Sequence, residues 1–197
     1  MAKTPAGRPL TPAGRRVLEV ASDLFYRRGI HTVGMDLIAE SAGVTKKTIY
    51  DRFGSKESLV VAYLEARDER WRRWLTDRLA AADDPRQRIL LSFEALDEWM
   101  ARENPRGCAF GNAYAELSDP RHPARAVAQA QKTWLLGRYA ELAREAGVAD
   151  PEPLADALLV LHEGAVVARN VAGRQHAAAT ARHAAEQLLG AASARSS

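Results

Sequence analysis

Thr11-Pro12, Asp84-Pro85, Asp119-Pro120 and Asp150-Pro151 each set a residue able to cap a helix directly before a proline. A hydroxyl or carboxylate there accepts a first-turn amide hydrogen, and proline needs none at the first helical position. Gly29, Gly43, Gly107, Gly147 and Gly173 stand where such helices would stop. Between the stops, apolar residues recur at helical spacing, as in Val17, Ala21, Leu24 and Phe25, or Ile89, Phe93, Leu96 and Met100. No segment shows the sustained β-branched/polar alternation of a strand. The expectation is an all-α fold of about nine helices, a small N-terminal head joined to a C-terminal helical bundle.

The punctuation sets the expected boundaries. Residues 1–10, basic and broken by two prolines, read as a flexible arm. Residues 11–54 read as the head and 55–197 as the body. In the body, Cys108 to Leu117 forms a short apolar segment. Ser118-Asp119-Pro120 opens a long helix ending near Gly147, Asp150-Pro151 opens one ending near Gly173, and the last runs from about Ala177 to Leu189.

With 197 residues, 47% of them apolar, the chain can bury a core without a disulfide or metal staple. A single cysteine excludes an intrachain disulfide framework and makes a reducing cytoplasm the default. No apolar run approaches the length of a bilayer span, and the basic N-terminus lacks the apolar stretch of a secretory signal. A cytoplasmic protein with no membrane partner is expected. Charge is uneven: residues 1–58 hold ten Lys/Arg against six Asp/Glu, a net of +4, whereas the remainder nets −1. A basic module on a near-neutral body points to a polyanion, or to no more than a solvated positive face.

The stretch GIHTVGMDLIAESAGVTKKTIYDRFGSKESL, residues 29–59, decides between those readings. Two short helices flank a tight turn: Ala39, then Gly43-Val44 four residues on, then Ile49. A small residue lets the helices cross closely, glycine permits a positive φ, and Val44 with Ile49 fills the wedge. This is helix-turn-helix spacing, with the motif at about 35–54. The second helix then offers Thr45, Lys46, Lys47, Thr48, Tyr50, Asp51 and Arg52 outward, chemistry suited to phosphates and base edges of duplex DNA. Ser55-Lys56 opens the next helix as a second phosphate clamp.

These residues resemble the DNA-binding head of the TetR family of bacterial transcriptional regulators. The resemblance rests on Phe25, Gly29, Ile38-Ala39-Glu40, Ala42-Gly43-Val44, Thr48-Ile49-Tyr50, Phe53 and Ser55-Lys56-Glu57-Ser58-Leu59. It covers about fifty residues; the rest matches in length, helicity and helix count. It implies a three-helix head joined by a fourth helix to a ligand-binding and dimerisation body, and a homodimeric repressor released from DNA by a small effector. It places phosphate contacts at Tyr50 and Lys56, and base or nearby backbone contacts at Thr45, Lys46, Lys47, Thr48 and Arg52. Two positions depart from the pattern. Gly34 stands where the family usually has Thr or Ser, and Lys47 stands where a small residue is common. Lys47 either reaches a guanine edge or only adds phosphate affinity; Asp51 either reads a cytosine amine or repels phosphate.

In the body, Trp74, Phe93, Trp99, Phe110, Asn112, Tyr114, Trp134, Tyr139 and His162 are candidates to line an apolar effector site, although such residues are also ordinary core. Asn112 and His162 stand out, because a buried amide or imidazole needs a partner. The last two helices carry Leu154, Leu158, Leu161, Ala165, Ala168 and Ala172, then Ala181, Ala184, Ala185, Leu188 and Leu189. Such faces pair two chains in a four-helix interface or close the monomer core. Cys108, with Arg106 as its only nearby cation in sequence, reads as a buried inert thiol. His176 and His183 share a face without further ligands, so no metal site and no cofactor are expected. No catalytic motif is present, and no enzyme is expected. The alternative is a helical small-molecule-binding protein whose head docks onto protein instead of DNA.

Overall fold

Thr11 opens the first helix by accepting the Gly14 amide hydrogen on its hydroxyl, 3.2 Å away, with Pro12 at the first helical position. In the computed structural model, which describes residues 9–194, that helix is the first of nine among the described residues. They are α1 (Pro12–Arg28), α2 (Met35–Ala42), α3 (Lys46–Phe53), α4 (Lys56–Leu79), α5 (Pro85–Glu103), α6 (Ala109–Glu116), α7 (Pro123–Glu145), α8 (Pro151–Asn170) and α9 (Ala177–Ala194). The chain divides into two compact units, one of residues up to Arg70 with Ala109–Ala130, the other of Trp71–Cys108 with the chain from Gln131 onward. Packing therefore assigns the first part of α4, α6 and the start of α7 to the unit that holds the head, beyond the 54/55 boundary read from sequence.

In the first unit, α1, α2 and α3 pack on one another around Val17, Phe25, Ile38, Ile49 and Phe53. α4 adds Leu59 and Tyr63, the latter with its ring centroid 5.9 Å from that of Phe25. Glu116, the last residue of α6, grips the α1–α2 turn. Its carboxylate accepts the amide hydrogens of Ile30 at 2.6 Å and His31 at 3.3 Å. Gly29 at that turn has φ 90° and ψ 150°, a region essentially reserved for glycine.

In the second unit, α8 and α9 pack on each other and on α5, around a core that includes Leu75, Phe93, Leu96, Leu135, Leu142 and Leu158. Arg169 of α8 and Arg182 of α9 reach α5 carboxylates, Asp97 at 2.7 Å and Glu94 at 2.8 Å.

The structure corrects several expectations. The expected flexible arm falls mostly on residues 1–8, outside the described residues. Leu10 does not belong to such an arm: it is buried, and its carbonyl accepts a hydrogen from the Arg15 guanidinium at 2.8 Å. Asp119-Pro120 does not open α7. The Asp119 carboxylate accepts the Arg121 amide hydrogen at 2.9 Å, closing a local turn. His122-Pro123 repeats the signal, and His122 Nδ1 accepts the Ala124 amide hydrogen at 3.2 Å. α8 stops at Asn170, short of Gly173, and α9 runs on to Ala194.

The faces of the last two helices are also reassigned. Leu154, Leu158, Ala165, Ala181, Ala185 and Leu189 are buried within the single chain, so they close its core. The exposed apolar row on α8 and its C-cap is Val160 (70% exposed), Gly164, Val167 (58%) and Val171 (83%), at steps of four, three and four. Leu188 of α9 is also exposed.

The two turn glycines separate by substitution. Gly43→Ala should cost about 1–2 kcal/mol for its left-handed backbone alone, because a Cβ there meets nothing nearer than the Arg16 guanidinium at 3.7 Å. Gly29→Ala should cost clearly more, because its Cβ would lie 3.1 Å from the Glu116 carboxylate. Urea titration followed by circular dichroism ranks the two; equal losses would contradict the role given to Glu116.

Candidate functional site

The turn before α3 is made by backbone geometry. Gly43 adopts φ 64° and ψ 40°. Its amide hydrogen goes to the Glu40 carbonyl at 3.1 Å, and that of Val44 to the Ala39 carbonyl at 3.0 Å. This paired pattern ends α2 sharply. Thr45 then caps α3, its hydroxyl accepting the Thr48 amide hydrogen at 3.2 Å. Ile49 and Phe53 are the buried residues of α3. An eight-residue helix anchored on that side turns Lys46, Lys47, Tyr50 (47% exposed), Asp51 and Arg52 to solvent, with Thr45 exposed and Thr48 half-buried. Ser55 accepts the Ser58 amide hydrogen at 3.0 Å, so α4 starts where expected. Lys56 is half-buried beside it; burial lowers its ammonium below the usual lysine range, opposed by the Glu116 charge. Of the seven positions read from sequence, six lie on α3 or its N-cap, and Lys56 opens α4.

Two carboxylates among these cations shape the surface. Asp36 in the first turn of α2 holds Lys46 at 2.9 Å, and Asp51 holds Lys47 at 2.8 Å, one helical turn away. The hydrogen bond from Lys46 to Asp36, reinforced by the carboxylate charge, raises that lysine above its usual range. The Asp36 pair was missed in the sequence, because its partners are ten residues apart and meet only through the turn. Gly34 begins α2 without a side-chain cap, in extended backbone with open space where a Cβ would stand.

The nine body candidates separate into two groups. Phe110, Asn112 and Tyr114 are on α6, in the first unit. Phe110 is buried, but Asn112 and Tyr114 are exposed, so Asn112 is not the buried amide expected. The Arg125 guanidinium lies 3.7 Å from the centroid of the Tyr114 ring. The second unit brings Trp74, Phe93, Trp99, Tyr139 and His162 into a chain of ring contacts. Its central link is Trp71, which was not among the candidates: 5.3 Å from Trp99 and 5.8 Å from His162, both edge-on. Trp134 stands apart under the Arg72 guanidinium, at 4.6 Å. A surface groove of about 350 Å³ lined by Val148, Pro153, Leu154, Ala157 and Leu188 contains none of the candidates.

Within that chain lies a buried polar relay. The Ser92 hydroxyl donates to the Ile89 carbonyl at 2.6 Å and stands 3.0 Å from the Tyr139 hydroxyl, which is 3.0 Å from His162 Nδ1. Burial, and secondarily the charge of Lys132, pushes His162 down to about 3, so it is neutral at physiological pH. Cys108 is half-buried and not fully buried as expected: Lys132 Nζ lies 3.4 Å from its sulfur and 2.7 Å from Glu163. Burial opposes the charge on Lys132, but Cys108 and Glu163 outweigh it. Among the described residues, no three His, Cys, Asp or Glu side chains group as metal ligands.

The family described as "Bacterial regulatory proteins, tetR family" matches residues 17–63, which contain the whole α2–turn–α3 arrangement. "Tetracyclin repressor-like, C-terminal domain" matches residues 85–185, more than half of the chain. The chain belongs to the TetR family. The transcriptional regulator AcuR of Cereibacter sphaeroides is 30% identical over 83% of this chain and 79% of its own. SCO4454, a TetR-family transcriptional regulator from Streptomyces coelicolor, superposes with TM-score 0.86 at 31% identity, covering 93% of this chain and 91% of its own. Some curated relatives match over less. A regulator from Mycobacterium tuberculosis, described as an uncharacterized HTH-type transcriptional regulator, is 34% identical over 47% of this chain and 46% of its own. This chain therefore spans about half the length of the first curated relatives it matches. No described helix of this TetR-family chain is long and apolar enough to cross a membrane.

The relay makes stability depend on pH. His162 is depressed in the folded chain, so the unfolded chain binds more protons between about pH 6.5 and 3, and stability falls as pH drops through that window. Each pH unit inside it should cost about 1.4 kcal/mol. The urea midpoint should drop from pH 7 to pH 5, and His162→Gln should flatten that dependence; an unchanged slope would refute a buried neutral imidazole.

Proposed function

We propose that this protein is a homodimeric, sequence-specific DNA-binding transcriptional repressor, released from a palindromic operator by a small-molecule effector. The observation that carries the reading is α3, two turns of helix anchored by Ile49 and Phe53 with Lys46, Lys47, Tyr50 and Arg52 exposed on its remaining surface. In this reading residues 11–54 read DNA and 55–197 hold effector and partner. Tyr50 and Lys56 bind phosphate. Thr45, Lys46, Lys47, Thr48 and Arg52 contact bases or nearby backbone. Lys46 and Lys47 must exchange Asp36 and Asp51 for DNA, so each contact is a swap of partners and not a simple gain. Trp74, Phe93, Trp99, Tyr139 and His162 are the effector candidates that share ring contacts; Trp134 is a further one, and Phe110, Asn112 and Tyr114 are retained only as positions on α6. DNA and effector then weaken each other by one common factor, on the order of tenfold to a hundredfold.

A duplex selected from a random pool tests the DNA reading. Lys56→Ala should weaken selected and unrelated duplexes alike, and should make the salt dependence shallower by about one counterion. An unchanged salt slope would remove Lys56 from the phosphate contacts. Failure of the wild-type chain to retain any duplex at low salt would favour a head that docks onto protein.

The exposed α8 row, Val160, Gly164, Val167 and Val171, supports pairing through the last two helices. Val167→Asp should turn a dimer into a monomer by light scattering. Persistence of the dimer would place the interface elsewhere.

A further inference from the structure

Tryptophan N–H groups usually find an acceptor when buried. Trp74 follows this rule, donating to the Ala95 carbonyl at 3.1 Å. Trp71 does not. It is 4% exposed, yet its indole nitrogen has no hydrogen-bond partner. An unmet buried donor costs on the order of 1–3 kcal/mol and calls for an explanation.

The neighbouring relay supplies the complementary group. Ser92 spends its one proton on the Ile89 carbonyl. The contact between Ser92 and Tyr139 is then a hydrogen bond only if Tyr139 donates. With the phenol proton so used, His162 Nδ1 must carry the hydrogen in its contact with Tyr139. A neutral imidazole protonated at Nδ1 has a bare lone pair at Nε2. The relay therefore fixes one tautomer, with Nε2 as its acceptor nitrogen. Its ring meets the Trp71 indole edge-on at 5.8 Å, but the two do not pair with each other.

We propose that Trp71 and His162 form a recognition site for the hydroxyl of a neutral phenol-type ligand, whose oxygen accepts from the indole N–H and whose proton goes to His162 Nε2. A hydroxyl is the small group that both accepts and donates at one atom. Trp99 and Trp74 continue the ring chain from Trp71 to a half-buried position, centroids 5.3 Å and 6.2 Å apart in turn, and they suit an aromatic body. A carboxylate is disfavoured: the nearby cation Lys132 is held by Glu163 at 2.7 Å, and neutral His162 offers no charge. The proposal rests on the effector reading above and gives it a ligand class.

The test uses the full chain with p-cresol and its methyl ether, 4-methylanisole, which keeps the oxygen but cannot donate. Binding is read by tryptophan fluorescence and calorimetry. p-Cresol should bind at least about tenfold more tightly than the ether, the worth of one hydrogen bond to a buried partner. Trp71→Phe keeps a ring without the N–H, and His162→Met keeps bulk without the lone pair. His162→Met should weaken p-cresol about tenfold and leave the ether unchanged, whereas Trp71→Phe should weaken both, because the ether oxygen still accepts; circular dichroism confirms the fold. If one variant does not fold, the other decides. Equal binding of the two probes, binding of neither, or a folded variant that holds p-cresol as the wild type does would each overturn the proposal. Retention of the selected duplex in the same samples separates that failure from a failure of the regulator reading.

Discussion

The left-handed residue at Gly43 is the constraint on which the site depends. It ends α2 within one residue, returns two amide hydrogens to the carbonyls of Ala39 and Glu40, and leaves α3 to start three residues later. A connection that short leaves α3 little freedom of direction. Once Ile49 and Phe53 are buried, the remaining side chains of an eight-residue helix must face water. The cationic surface is therefore a product of the turn and two apolar anchors. The charges themselves do not build it, since Lys46 and Lys47 are held by Asp36 and Asp51.

Local chemistry was the most legible part of the sequence. Thr11, Thr45, Ser55 and Asp84 all cap the helices they precede, because a cap needs only its own side chain and amides two or three residues away. Asp150 opens α8 as read but makes no side-chain cap bond. Asp119-Pro120 failed to open a helix, because Asp119 can satisfy a turn equally well, and His122-Pro123 offered the helix a second start. The spacing of Ala39, Gly43-Val44 and Ile49 was readable for the same reason, as short-range geometry written in residue size.

What stayed hidden depends on the third dimension. α8 is apolar on two sides, so periodicity alone could not say that Leu154, Leu158 and Ala165 face inward while Val160, Val167 and Val171 face out. Asn112 sits in an apolar segment but is exposed, since one polar residue on a short helix needs only one turn of the axis to reach water. Trp71 was legible as core but not as a polar group, because nothing in a sequence shows whether an indole N–H finds an acceptor. Lys132 lies beside Cys108 across twenty-four positions of chain, a proximity no local pattern announces.

Glu116 carries a different consequence. The three helices that present α3 are contiguous in sequence, and they look separable from the rest. Yet the turn between α1 and α2 takes its hydrogen-bond acceptor from the end of α6, eighty-six residues downstream of Ile30. Cutting the chain after Arg70 would preserve every side chain of α3 and remove the carboxylate that satisfies the Ile30 and His31 amides. The compact head is thus discontinuous: a graft of residues 9–70 onto another protein inherits the exposed surface of α3 without its brace.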